Sequence, residues 1–167
     1  ASYPCDTLEQ TNIPINPKSV YEQEFRRHRE RMLPDMVFEY PNRQALVYDF
    51  KVLGKKVQEK IGHFKRNIVG FSIFKNNGKI DKVRKYRQYA KGDNDMYWLN
   101  SPDKEIFWVI PEQILIDHDI VASETRARGY VWSSYAWLEP YQFSYTHFDA
   151  ARFEGLLGVE TVENTLV

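Results

Sequence analysis

The pattern of apolar and polar positions opens with a stretch that predicts no element. Residues 1–17 carry Pro4, Pro14 and Pro17 and show no periodicity, so they read as an arm. Ser19, with Glu22 three residues later, has the spacing of a capping box, in which each side chain satisfies a free amide of the other residue. The helix it predicts runs to about Leu33 and stops before Pro34, because the residue before a proline is pushed out of the helical region. Short apolar runs follow, and they predict strands. These are Met36 to Tyr40, Gln44 to Val52, Lys56 to Gly62 and Ile68 to Lys75. Asn76-Asn77-Gly78 reads as the turn that closes the last of them. Met96 to Asn100 and Ile106 to Ile110 predict a hairpin around Ser101-Pro102-Asp103, and Pro111 predicts the first turn of a short helix, Glu112 to Asp117. From Gly129 the chain is aromatic and mixed, and no repeat or domain boundary is visible. The expectation is a single α/β domain, 1–167, with an N-terminal arm.

Charge changes this picture because it is unevenly distributed. The formal net charge is zero, but thirteen of the 23 Lys and Arg residues lie between Lys51 and Lys91, against only Glu59 and Asp81. From Gly92 onward there are thirteen acids and four basic residues. A basic block of this kind can follow a phosphate backbone even in a neutral chain. Its candidate DNA-binding residues are Lys55, Lys56, Lys79, Lys82, Arg84, Lys85, Arg87 and Lys91. Around Val83 the cationic positions alternate as in a strand, a form that can enter a major groove. A solvated charged hairpin is the plain alternative. Cys5 is the one cysteine, so no disulfide can form within the chain and an intracellular protein is expected. No apolar run approaches the length of a membrane span or suggests a signal peptide.

Candidate chemistry gathers next to the basic block. Asp49 sits in the apolar run Leu46-Val47-Tyr48-Asp49-Phe50, and Gln58-Glu59-Lys60 begins nine residues later. An acid and a polar oxygen ligand on neighbouring strands can hold a hard divalent cation such as Mg²⁺, with Mn²⁺ as the alternative. A lysine beside them can orient water or stabilise developing negative charge. Gln58 and Lys60 are two apart and share a strand face, while Glu59 points the other way. A second frame, Pro34-Asp35 followed by Asp49-Phe50-Lys51, also spells acid, acid, lysine, with Asp35 expected across the hairpin from the other two. Both frames use Asp49. They leave the lysine open between Lys60 and Lys51, and a solvated strand face is the plain reading of either motif alone. Asp93 and Asp95 lack the remainder of a calcium loop. His28, His63, His118 and His147 show no zinc spacing, although His63 lies close enough to Lys60 to meet a phosphate. No phosphate loop, nucleophile elbow or dinucleotide fingerprint is present.

A longer ordered series carries a resemblance. After the Gln58-Glu59-Lys60 strand come Phe71-Ser72-Ile73-Phe74, the basic stretch, Tyr89-Ala90-Lys91-Gly92-Asp93-Asn94-Asp95-Met96-Tyr97-Trp98, and Phe107-Trp108-Val109-Ile110-Pro111-Glu112. Over roughly residues 20 to 117 the chain resembles the PD-(D/E)XK nuclease superfamily, in the branch whose last motif reads Q-x-K. That resemblance implies a restriction-endonuclease-like fold, a central mixed sheet flanked by helices. It implies Asp49 as the metal-binding acid, Gln58 in place of a second acid, Lys60 as the lysine and Glu22 as the acid of the leading helix, with Asp35 a further acid. Two features depart from the pattern: the short interval from Asp49 to Gln58 and the overlapping Asp49-x-Lys51. The metal ligands expected are Asp49, Asp35 and Gln58. The activity implied is Mg²⁺-dependent cleavage of double-stranded DNA by a small site-specific endonuclease of the homing type, with a restriction or repair nuclease as the nearest alternative. RNA cleavage is another reading, and so is a non-catalytic nucleic-acid-binding protein on the same fold. One active site per chain implies a homodimer or homotetramer if both strands are to be cut at one place.

Overall fold

The central strands follow from two nearly unbroken apolar runs. Met96–Ser101 is buried at all six positions, and Ile106–Pro111 at its middle four. Strands buried on both faces read this way, without the alternation of a half-exposed sheet. The computed structural model describes residues 17–41, 48–80, 83–123 and 127–158, and they divide into two compact units, residues 1–35 and 36–167. In the first unit, α1 spans Pro17–Met32. It begins at Pro17, so Ser19 lies within its first turn; a proline at the start of a helix gives up no hydrogen bond.

The second unit contains ten strands among the described residues. These are β1 (Phe38–Glu39), β2 (Phe50–Val52), β3 (Lys55–Ile61), β4 (Gly70–Ser72), β5 (Phe74–Ile80), β6 (Val83–Gln88), β7 (Met96–Ser101), β8 (Ile106–Pro111), β9 (Tyr130–Trp132) and β10 (Gln142–Ser144). Six of them form a mixed sheet in the order β1-β2-β3-β7-β8-β10. Every pairing in it is antiparallel except β3 with β7. Two short helices pack against β8, α2 (Glu112–Asp117) and α3 (Ala150–Leu156). The fold is α/β, a six-stranded mixed sheet flanked by helices, as the sequence led us to expect.

Each face of the sheet has its own core. On one face Tyr97, Leu99, Trp108 and Ile110 pack with Phe71, Leu115 and Val131. On the other, Trp98 and Phe107 stack at 4.9 Å, with Phe50, Phe143 and Phe153 around them. Full burial of such a side chain stabilises the fold by roughly 1.5–3 kcal/mol, so these two layers hold the sheet between them. The β4–β9 ribbon closes the first face through Phe71 and Val131. No helix among the described residues is long and apolar enough to cross a membrane.

Two local elements differ from the sequence reading, and a third is only partly described. The predicted strand from Ile68 to Lys75 is divided into β4 and β5. Asn76-Asn77-Gly78 does not turn the chain; it lies inside β5, where the register shifts against β6 between Asn76 and Lys79. A glycine inside a strand often marks such a bulge, and β5 runs on to Ile80, which pairs with Val83; residues 81–82 lie outside the described residues. The predicted strand from Gln44 to Val52 is described only from Tyr48, because residues 42–47 lie outside the described residues.

Gly129 links this packing to the rest of the unit. Its φ is +76°, and a Cβ there would stand 2.3 Å from the Phe74 ring. Gly129→Ala is therefore expected to lose about 2–4 kcal/mol, from a left-handed backbone that disfavours Ala together with overpacking. A urea titration would check this; an unchanged midpoint would show that the Phe74 ring yields freely.

Candidate active site

The antiparallel register of β2 and β3 places the candidate residues. Phe50 stands across from Val57 and Lys51 from Lys56, which sets Asp49 opposite Gln58. With alternating side chains, Asp49, Lys51, Lys56, Gln58 and Lys60 share one face of the sheet, the face of Tyr97 and Leu99. Glu59 projects to the other, where Asn100 Nδ2 donates to its Oε2 at 2.8 Å and the Tyr145 hydroxyl donates to Asn100 Oδ1.

Asp49 is fixed by three hydrogen bonds. Its own N–H donates to the Val57 carbonyl at 2.8 Å. Its Oδ2 accepts the next donor along that edge of β3, the Glu59 N–H at 2.7 Å, and the Gln58 side-chain amide at 2.8 Å. Gln58 Nε2 also lies 3.1 Å from the Glu59 carbonyl. Both partners are acceptors, so the nitrogen of this amide must face them and the amide oxygen takes the opposite side. Gln58 is buried, and its amide is held where a carboxylate oxygen and a main-chain oxygen converge.

Lys60 is anchored on the same face. Its Nζ donates to the Phe74 carbonyl at 2.7 Å and lies 5.1 Å from the centre of the Tyr89 ring, a cation–π distance. The Tyr89 phenol is pushed well above its ordinary pKa, first by burial and then by the negative charge of Asp49. It stays protonated at neutral pH and ties the lysine and the acid into one electrostatic neighbourhood. Lys51 lies 5.6 Å from the Tyr48 ring, and the residue across from it on β1 is Glu39. Asp35 is exposed in the turn after α1, and Glu22 is half-buried within α1; both belong to the first unit.

Among the described residues no three His, Cys, Asp or Glu side chains converge as a metal cluster. The oxygen donors here are the Asp49 carboxylate and the Glu59 main-chain carbonyl, both of which face the Gln58 amide nitrogen; the Gln58 oxygen joins them only once that amide turns over. That set suits Mg²⁺, which accepts one or two carboxylates and completes its octahedron with water and substrate phosphate. A zinc site would need nitrogen or sulfur ligands that this face does not present.

The candidate DNA-binding residues fall into two groups. Lys79 stands across from Arg84 on the β5–β6 ribbon, and Lys75 across from Arg87. Lys85 follows on β6, Lys82 lies outside the described residues, and Lys55 and Lys91 are exposed. Two others are occupied within the fold. Arg87 pairs with Asp93 at 3.0 Å, and Lys56 Nζ donates to the Gly92 carbonyl at 2.8 Å. Asp93 and Asp95 have structural work: Asp93 Oδ2 accepts the Ala90 N–H, and Asp95 Oδ2 the Lys56 N–H. Glu112 accepts the Gly92 N–H with both oxygens, and partial burial raises its pKa. The Gly-Asp-x-Asp segment is thus a latch that joins the start of β3 to the start of α2. Sequence reasoning assigned no role to Tyr89 or to the Phe74 carbonyl; a main-chain oxygen leaves no signal in a sequence.

Neither a protein-family profile nor a curated protein sequence matches this chain. Two solved structures are similar in fold. One is a bacterial homing endonuclease, I-Ssp6803I, 20% identical over 78% of this chain and 89% of that one, with a TM-score of 0.51. The other is MepB, 9% identical over 78% of this chain and 97% of that one, with a TM-score of 0.50. At these identities the likeness concerns the fold, which is nuclease-like.

The hydrogen bonds around Asp49 make a stability prediction independent of any activity. Asp49→Ala strips the Glu59 and Gln58 donors of their acceptor and is expected to cost about 1–3 kcal/mol. Asp49→Asn keeps an acceptor oxygen and should cost distinctly less. Denaturant midpoints of the two variants decide it; equal losses would mean that Asp49 Oδ2 does not hold these donors.

Proposed function

We propose that this chain is a metal-dependent endonuclease that cuts double-stranded DNA at specific sites, of the homing type and of the PD-(D/E)XK branch with Gln in the second acid position. One observation carries the reading most: Asp49, from before β2, and Gln58 and Lys60, from β3, lie on one face of a nuclease-like sheet, each held by named hydrogen bonds. Asp49 and, with its amide turned to present the oxygen, Gln58 are the ligands for Mg²⁺, with Mn²⁺ as its substitute. When bound, the metal supplies charge neutralisation at the scissile phosphate and a lowered pKa for water.

The protein residues then have distinct tasks. Asp49 supplies a negative side chain beside Gln58 and Lys60, already oriented by the Glu59 N–H. Gln58 supplies a neutral ligand, so the set carries one charge fewer than a pair of acids would. Lys60 is the cation that stabilises charge on the phosphate or orients the attacking water. The Phe74 carbonyl and Tyr89 ring hold it in place, which avoids reorganisation during the reaction. Lys60 is preferred to Lys51 because it follows Gln58 on the same strand and shares the Tyr89 neighbourhood with Asp49. The basic ribbon from Lys79 to Lys91 grips the duplex. One site per chain cuts one strand, so a homodimer or homotetramer is the functional assembly.

Plasmid nicking in Mg²⁺ tests the chemistry. Asp49→Asn should abolish nicking while DNA binding persists. Lys60→Ala should slow it by about two orders of magnitude or more, the scale for loss of one preorganised donor. Gln58→Glu should lower the Mg²⁺ concentration for half-maximal rate, because it restores a ligand charge. Wild-type nicking by Asp49→Asn would end this reading and favour a binding protein on a nuclease fold. Inactivity of Lys51→Ala beside an active Lys60→Ala would move the lysine to the other frame.

Affinity for duplex DNA should fall steeply with salt, since each neutralised phosphate releases counterions. Lys85→Ala should weaken all sequences about equally and flatten the salt slope. Arg84→Ala should instead relax base preference if that residue reaches a guanine edge. A panel of single-base target variants at fixed salt separates the two effects.

A further inference from the structure

The outer face of the β4–β9 ribbon is the most exposed aromatic surface among the described residues. Phe71 and Val131 point inward, so Gly70, Ser72, Tyr130 and Trp132 point out. Tyr130 is 48% exposed and Trp132 is 44% exposed, beside Ile68 at 45%. Their rings lie close to parallel, 18° apart, with centres at 6.5 Å. Trp132 is seated directly over Gly70: a Cβ on that glycine would stand 2.5 Å from the indole ring. A cleft of about 450 Å³ opens here, lined by His63, Lys65, Ile68, Gly70, Tyr130 and Trp132 among others.

The rim of this cleft is cationic. Lys65 and Arg66 are exposed at the tip of a tight turn closed by Lys65 and Ile68. Lys104 lies over the Phe64 ring, 4.3 Å from its centre. Asp103, the carboxylate on this side, is engaged by His63 at 2.9 Å and by the Phe64 N–H at 2.6 Å. The patch also adjoins the candidate active site: Lys60 holds the Phe74 carbonyl, and the Phe74 ring meets Tyr130 edge-on at 5.6 Å.

We propose that Tyr130 and Trp132 form a stacking platform for an unstacked nucleobase of the nucleic acid bound at the Lys60 site, with Lys65 and Arg66 on its phosphates. This rests on the reading that the chain binds nucleic acid. Flat exposed rings with a positive rim match the two surfaces of a nucleotide, its π-face and its phosphate.

The test uses the whole chain in EDTA, so that binding is read without cleavage. Anisotropy of a fluorescein-labelled single-stranded oligonucleotide and of its duplex is measured at several salt concentrations, with tryptophan quenching in parallel. Trp132→Ala is expected to weaken single-strand binding roughly tenfold to a hundredfold with the salt slope unchanged, because no phosphate contact is lost. Trp132→Phe should recover most of the affinity, and it covers the case of a poorly folded alanine variant. Lys65→Ala should lower the slope by about one. Wild-type affinity in both Trp132→Ala and Tyr130→Ala would overturn the platform while leaving the nuclease reading intact. Failure of the wild-type chain to bind either strand form would overturn both. Loss of self-association in Trp132→Ala by sedimentation, with nucleic-acid affinity unchanged, would reassign the patch to a subunit interface and overturn the platform.

Discussion

The parallel pairing of β3 with β7 is the constraint on which the rest of this structure depends. It is the one parallel contact in an otherwise antiparallel sheet, and it sets Gln58 beside Tyr97 and Lys60 beside Leu99. A slip of one residue would carry Gln58 and Lys60 to the Trp98 face, among stacked aromatic rings, and bring Glu59 to the other side. The slip is resisted from both faces, because β7 is buried throughout and each of its side chains has a dedicated core. Parallel neighbours need a crossover, and residues 62 to 95 provide it. That crossover contains β4, the β5–β6 ribbon and the 89–95 latch, so the elements that furnish the basic residues, and the strand on which β9 docks, are also those that the parallel register requires.

Against this frame the acid and the lysine are held by different means. Asp49 occupies the edge of β3 where backbone pairing with β2 ends, and its carboxylate accepts the Glu59 N–H that the ladder leaves over. Lys60 is held in part by a main-chain oxygen and an aromatic face. The two meet through Tyr89, whose phenol resists ionisation first because it is buried and then because Asp49 is negative. A site assembled this way has its acid and lysine oriented before any ligand arrives, as electrostatic catalysis requires. Fold alone does not assign an activity, and the weight of the functional reading falls on this local chemistry together with the uneven charge of the chain.

Much of this was legible in the sequence. The apolar runs at 96–100 and 106–110 marked the central hairpin, Pro111 marked the start of α2, and the two-residue spacing of Gln58 and Lys60 placed them on one face. Asp49 stood out as an acid within an apolar strand. The bulge at Asn76-Asn77-Gly78 was read as a turn because turn residues and bulge residues are the same residues, and only the pairing partner distinguishes them.

What the sequence by itself determined is the set of chemical groups and their local periodicity: which strands are apolar, which residues alternate, where the positive charge accumulates. The tertiary structure decided which of those groups meet. Arg87 and Lys56 look alike as free cations in a basic block, yet one is paired with Asp93 and the other is bound to the Gly92 carbonyl. The Phe74 carbonyl became the anchor of Lys60 although every residue carries such an oxygen. Tyr130 and Trp132 lie some seventy residues beyond Lys60 and reach its neighbourhood through the pairing of β9 with β4. Contacts of this kind depend on chain crossings and strand partners, and those are settled by the burial of two whole aromatic layers rather than by any local stretch of sequence.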